Sequence, residues 1–461
     1  MSLENQTNNT FNPEQFDSEF REFTKEVSGI VAVTAPDGES KREQMAAFLS
    51  DEISNPQCTY PKLHAITDEQ IANHRDSAER LLDQVSLLAE PYRGVYEEFI
   101  RQNLVQADLA MAMKSYNEAV TADAKSSARE EFMRLNVELY GEPDKETYYS
   151  LLSEKMANIS SKERSPEAQV IFNQLKDILP TEACNPELVA ARFRPSSETV
   201  AWVHEVVHGL FDGLLSHVPD TDELIDSAHL RDIFEVIIRE EFGEAAKDWR
   251  VLYKDAKAIS VGAQSKVVTV PVDRPPVSAA EARRLVVHEI GIHMITALTG
   301  ASTDITPLGH GLAGYADTQE GLGKVAEQAL ENEFKEAGTA HYITAGLAYY
   351  DGRDFRGAFE AKWRMKLLED LDAYAVPTAE QIEHARKIAA DGPLIATTRI
   401  FRGTDELPLF RDLSYYKGST EVWKYLEEIR GDDLLLSLLF AGKVSTSREH
   451  RRVVLESSTV G

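Results

Sequence analysis

Residues 285–300 read LVVHEIGIHMITALTG, an apolar helical run broken by His288, Glu289 and His293. Ionisable groups on such a helix are costly unless something compensates them. A divalent ion held by the two imidazoles, with the carboxylate of Glu289 beside it, is the most economical compensation. Upstream, residues 249–253, 258–261 and 266–272 are short, valine-rich and separated by turn residues, which predicts a small antiparallel sheet. Pro271, Pro275 and Pro276 end the last strand. Ser278-Ala279-Ala280-Glu281 fits a capping box that launches the motif helix, and Gly300 suits its stop. A sheet followed by a helix carrying His-Glu and a second His is the order found in zinc peptidases of the zincin type. The expected fold class is α+β, mainly helical, with a zincin-like metallopeptidase domain and a helical N-terminal lobe.

The spacing of the motif makes a local prediction. In HExxH the imidazoles are four residues apart and lie within ~40° of each other on a regular helix. Here the pattern is HExxxH, and five residues place them ~140° apart. A π-type widened turn around 290–292 restores convergence, and Gly291 eases that distortion. Glu320, in Thr318-Gln319-Glu320-Gly321-Leu322, offers an acidic third ligand 27 residues beyond His293. Two imidazoles and one carboxylate leave a position open for water, as catalytic zinc requires. Glu289 is then the catalytic base that takes the water's proton and delivers it to the leaving amine. The expected cofactor is one Zn2+ per chain, although the same donors suit iron.

A second motif competes. His204-Glu205-Val206-Val207-His208 has the standard HExxH spacing, but no strand precedes it. Glu235, Glu240 and Glu241 are possible third ligands without a distinctive setting. We read this motif as two helix-face histidines flanking a solvated Glu205.

The length of 461 residues suggests several lobes. We divide the chain into a disordered arm (1–15), a helical N-terminal domain (16–221), the zincin-like domain (222–440) and a C-terminal tail (441–461). Helical periodicity marks 69–88, 92–120, 127–139, 166–179 and 230–242. In the tail, Arg448, Arg451 and Arg452 read as a solvated basic cluster. No apolar run reaches ~18 residues, so no transmembrane helix is expected. The start lacks a secretory pattern, which makes the cytoplasm the expected location. Cys58 and Cys184 form no CxxC pair, which argues against a disulfide framework or a cysteine-zinc site. A formal net charge of -28 opposes nucleic acid and other acidic polymers as partners. Basic residues gathered at one spot are informative against that background.

At these residues the chain resembles a family of metallopeptidase-like proteins with a QEGLA signature, to which the microtubule-associated tyrosine carboxypeptidase of animals belongs. The matching words are HEIGIH at 288–293 and GLAGYADTQEGLG at 311–323, with RIFRG at 399–403 and RDLSYYKG at 411–418 further on. The likeness covers roughly 230–426 and is weaker in the N-terminal half. It implies zinc on His288, His293 and Glu320, Glu289 as the catalytic carboxylate, and hydrolysis near a free C-terminus. QEGLG here replaces QEGLA, which reads as a small change. Docking on acidic tubulin tails does not suit the net charge.

A peptide C-terminus as substrate calls for arginine or lysine to hold its carboxylate. Arg402 and Lys417 are the first candidates, with Arg399 and Arg411 beside them in sequence; each is otherwise an ordinary surface charge. Tyr342, Tyr415 or His310 would stabilise the oxyanion. Strand 266–272 would add a substrate strand unless it is sheet core. The rival function is a non-catalytic regulator that binds a partner through the helical lobe, with a structural metal or none. Oligomeric state is not legible.

Overall fold

Small polar caps and prolines cut the N-terminal half into amphipathic helices. Thr67 and Gln70 form a reciprocal capping box at the start of helix Asp68–Val85, and Ser165 caps Pro166–Ile178 with proline in its first turn. Helices Tyr92–Glu118, Ala122–Tyr140 and Ser227–Phe242 likewise fall on runs marked by periodicity. The computed structural model describes residues 12–160, 164–188, 192–256, 258–372, 374 and 377–458. The expected arm at 1–15 lies outside these up to residue 11, and from Pro13 the chain is helical through Val33.

The apolar clusters draw on both halves of the chain. One joins Leu109, Met113, Leu151 and Ile171 to Leu347, Phe355, Leu368 and Phe410. Another joins Phe16, Phe20 and Tyr96 to Leu308, Leu312, Val453 and Val454. The C-terminal tail expected at 441–461 carries a helix, Arg448–Ser458, that lays Val453 and Val454 into this cluster and leaves Arg448 and Arg452 exposed. The third cluster surrounds the motif helix with Val207, Phe211, Phe234, Val268, Val270, Leu322 and Trp423. Each fully buried aliphatic side chain there contributes about 1.5–3 kcal/mol.

The chain is mainly helical with one small sheet, consistent with α+β. Strands β1 (Arg250–Lys254), β2 (Ser260–Gly262) and β3 (Val267–Pro271) lie within a residue or two of the expected runs. The sheet is mixed rather than antiparallel. Its order is β1-β3-β2, with β1 parallel and β2 antiparallel to β3. The reason is burial: β3 is buried along its whole length and takes the centre, while the more exposed β1 and the three-residue β2 form the edges. β2 is thus the return that lets β1 and β3 run parallel. Because β3 pairs on both sides, with β1 throughout and with β2 at Val267, Val268 and Thr269, it has no edge on which to add a substrate strand.

The motif helix spans 279–301 in three segments: α at Ala279–Leu285, π at Val286–Met294 and α again at Ile295–Ala301. Ser278 caps it by accepting from the Glu281 amide at 3.2 Å, but the Glu281 carboxylate pairs with Arg284 at 2.6 Å, so only half of the expected box forms. Gly300 lies inside the last turn rather than after it. A Cβ there would stand 2.2 Å from the Leu308 carbonyl oxygen, so this glycine serves a close backbone approach.

Candidate metal centre

The widened turn is longer than 290–292: the i→i+5 pattern runs over nine residues. Residues five apart stack in such a helix, so His288 and His293 share a face. Their ring centroids lie 4.8 Å apart at 76°. The helix is apolar all round and buried, with Val286, Val287, Ile290, Ile292 and Met294 fully enclosed. Gly291 faces the ring of Phe211, where a Cβ would sit 3.0–3.3 Å from three ring carbons.

Glu320 comes from the second turn of helix Tyr315–Ala329. That helix crosses helix Ser414–Glu428 backbone to backbone. A Cβ on Gly321 would fall 2.2 Å from the Gly418 carbonyl carbon, and one on Gly418 1.7 Å from the Asp317 oxygen. The glycines of QEGL and YYKG therefore set how deeply Glu320 reaches toward the histidines. Ligand atoms of His288, His293 and Glu320 all lie within 4.8 Å of one another. His288 Nε2 stands 3.8 Å from Glu320 Oε2. That gap is too long for a hydrogen bond and near the roughly 3.4 Å that two ligands of one tetrahedral zinc would span. The donor set and its spacing fit a divalent ion.

Three supporting residues, Glu327, Lys324 and Gln319, were not singled out from sequence. Glu327 Oε1 lies 2.6 Å from His288 Nδ1, and Lys324 Nζ holds both oxygens of that carboxylate at 2.9 Å. A carboxylate on the far nitrogen fixes the ring and leaves Nε2 toward the site. The available signal was position: Glu327 is seven residues after Glu320, on the same face of one helix. Gln319, 2 % exposed, accepts from the Thr296 hydroxyl at 2.8 Å. Gly323, the last residue of QEGLG, also bears on the centre. The His288 ring lies on Gly323, where a Cβ would be 2.6 Å from its Cε1, so an alanine does not fit the ring as placed here.

Electrostatics separate the roles. Burial opposes a charge on His288, but the Glu327 hydrogen bond, with Glu289 and Glu320 nearby, holds its pKa above the ordinary value. An ion held by His288 would have to compete with that proton. Burial pushes His293 well down, and the charges of His288 and Lys443 push the same way, so it is a neutral donor. Burial raises Glu289, and His288 only partly offsets this.

The candidate substrate groups separate as well. Arg399 and Arg402 share Asp412, at 2.9 and 3.5 Å, and Arg399 donates to the Tyr415 hydroxyl at 3.0 Å. Lys417 donates to the carbonyls of Tyr140 and Glu142 at 3.1 and 2.9 Å, pinning the end of helix Ala122–Tyr140. Arg411 is solvent-exposed and feels Tyr140, Tyr315, Asp412 and Glu320. Among the described residues it forms no ion pair. Tyr415 stands close enough to Glu320 and Arg399 to be affected by both. Tyr342 is 2 % exposed and its hydroxyl accepts from the Asp144 amide at 2.7 Å, so the structure does not bring it to the centre. His310 is held down at about 4 by burial and by the nearby Arg21 and Lys443.

The competing motif is placed differently. His204 and His208 lie on a regular helix, Ser197–Ser216, with Glu205 exposed. His204 Nδ1 contacts the Ala329 carbonyl at 2.7 Å. Among the described residues, no third ligand completes this pair.

A mainly helical α+β chain thus gathers two imidazoles and a carboxylate beside the half-buried Glu289, a donor set that fits a divalent ion. Residues 219–375 match the family model of the microtubule-associated tyrosine carboxypeptidase. The match takes in the sheet, the motif helix and Glu320, while RIFRG and RDLSYYKG fall beyond it. No curated protein and no solved structure matches the chain. Among the described residues, no helix is long and apolar enough to cross a membrane.

Proposed function

We propose that the chain is a zinc-dependent carboxypeptidase with a zincin-like domain and one ion per chain, releasing a residue from the C-terminus of a cytoplasmic peptide or protein. One observation carries the reading: ligand atoms of His288, His293 and Glu320 lie within 4.8 Å of one another, with Glu289 next to His288 in the same helical segment. The matched family's name supports the carboxypeptidase class. Tyrosine preference and microtubule association are not part of the proposal, since a net charge of -28 opposes docking on an acidic polymer.

An ion held by His288, His293 and Glu320 would supply Lewis-acid polarisation of the scissile carbonyl and a more acidic water. The chain's own residues do the rest. Glu289, made more basic than an ordinary glutamate by burial, takes a proton from the attacking water and returns it to the leaving amine. Glu327, steadied by Lys324, keeps His288 oriented. Arg411 receives the substrate's terminal carboxylate, because Arg399, Arg402 and Lys417 are already engaged. The Tyr415 hydroxyl, positioned by Arg399, is the oxyanion donor of this scheme.

The test is Glu289→Gln. Turnover of peptides with free C-termini falls by roughly 100-fold or more, while metal content is unchanged. A non-catalytic regulator would behave as wild type in its cellular role and turn over no peptide in either form.

A further inference from the structure

One face of helix Lys145–Ser160 and one face of helix Phe355–Leu371 line a cavity of about 420 Å³. The first turn of helix Thr339–Tyr349 and Gly392-Pro393 of helix Asp391–Phe401 complete its lining. Leu151, Ile343, Met365 and Pro393 make part of the wall apolar. None of the candidate metal ligands belongs to it. Pockets of this size between helices accept small organic molecules.

The other charges around this cavity are matched. Glu154 and Glu336 share Arg192, Glu369 pairs with Lys155, and Lys366 pairs with Asp370 on the next turn of its own helix. Lys362 is the exception. Its helix places Ala358, Phe359, Met365 and Lys366 where an intrahelical partner would stand, so no carboxylate meets it there and Lys366 repels it. Among the described residues its amine forms no ion pair, and its one hydrogen bond goes to the Ala340 carbonyl at 2.8 Å. The side chain is half-buried and faces the cavity. Burial pushes the amine down to about 7, and the charge of Lys155 pushes the same way, against Glu369. A lysine desolvated beside another cation carries its free, nucleophilic form near neutral pH. Such a group in a cleft marks a candidate site.

We propose that this cavity is a second reactive site, in which the Lys362 amine condenses with a small aldehyde or ketone to form a Schiff base. The nitrogen adds to the carbonyl carbon, and the carbonyl oxygen leaves as water with the two amine hydrogens. A C=N bond replaces C=O, and nothing is oxidised or reduced. Leu151, Ile343, Met365 and Pro393 favour a carbonyl compound with an apolar body. The site does not depend on the carboxypeptidase reading.

The test treats full-length protein at pH 7 with benzaldehyde and sodium cyanoborohydride, which traps the Schiff base as a benzylamine. Peptide mass spectrometry then reads the rate at each lysine. Lys362 is labelled roughly tenfold faster than the exposed lysines. Acetaldehyde, which has almost no apolar body, selects Lys362 less strongly. Two variants alter the surroundings and leave the amine in place. Lys366→Glu sets a carboxylate one turn from Lys362, which keeps the ammonium charged and brings its labelling down to that of exposed lysines. Asn158→Trp crowds the exposed rim and slows benzaldehyde at Lys362 more than acetaldehyde. Even labelling of all lysines in the wild type overturns the proposal, as does an unchanged rate at Lys362 in both variants. Equal selectivity with acetaldehyde overturns the cavity as the binding site of the carbonyl compound.

Discussion

Two helices of this chain carry a His-Glu pair and a second histidine, and they pack against each other through Phe211 and Gly291. Their imidazole pairs are close to identical in arrangement, with ring centroids 4.5 Å apart at 67° for His204 and His208 and 4.8 Å at 76° for His288 and His293. What differs is the surroundings. Helix Tyr315–Ala329 serves both pairs, but it gives His288 the carboxylates of Glu320 and Glu327, whereas it gives His204 only the carbonyl of Ala329 at its end. Spacing brings two imidazoles together in either kind of helix. The carboxylates that complete and orient them make one pair a candidate centre.

Changes to the carboxylates break the comparison most strongly. Glu289→Gln, with its loss of roughly 100-fold or more in turnover, is the largest expected effect. Glu327→Gln makes His288 resemble His204 by exchanging its charged partner for a neutral one. Metal affinity then falls by about 10- to 100-fold, read by competition with a chromogenic chelator. Gly323→Ala puts a methyl where the His288 ring now lies, and the same assay shows a smaller loss, roughly tenfold, with little change in thermal stability. His204→Ala and Glu205→Gln leave affinity and turnover at wild-type values.

A pH dependence of stability sharpens the contrast between histidines that can meet an ion and those that are simply buried. Burial holds His310, His341 and His450 down at about 4. In the unfolded chain each takes up a proton near pH 6.5. These groups leave stability at its full value above about pH 6.5 and lower it as pH falls from there toward about 4. Urea midpoints measured on metal-free protein decline over that window. His450→Gln flattens part of the decline.

The sequence exposed the features that depend on local pattern. Histidines five residues apart, like His288 and His293, do not converge on an α-helix, so the π segment was legible from their spacing. Strands were legible from valine and turn residues, but their order was not, because it depends on which strand the finished core buries. Glu327 had a helical-face signal that went unused. The arginine and lysine candidates were visible as charges, but which of them already held partners was a tertiary fact.

The most direct measurement is metal content by elemental mass spectrometry on purified wild type, His293→Ala and His208→Ala. The account predicts about one zinc per chain in wild type and in His208→Ala, and none in His293→Ala. Loss with His208→Ala alone, or no metal in any sample after zinc addition, would contradict it.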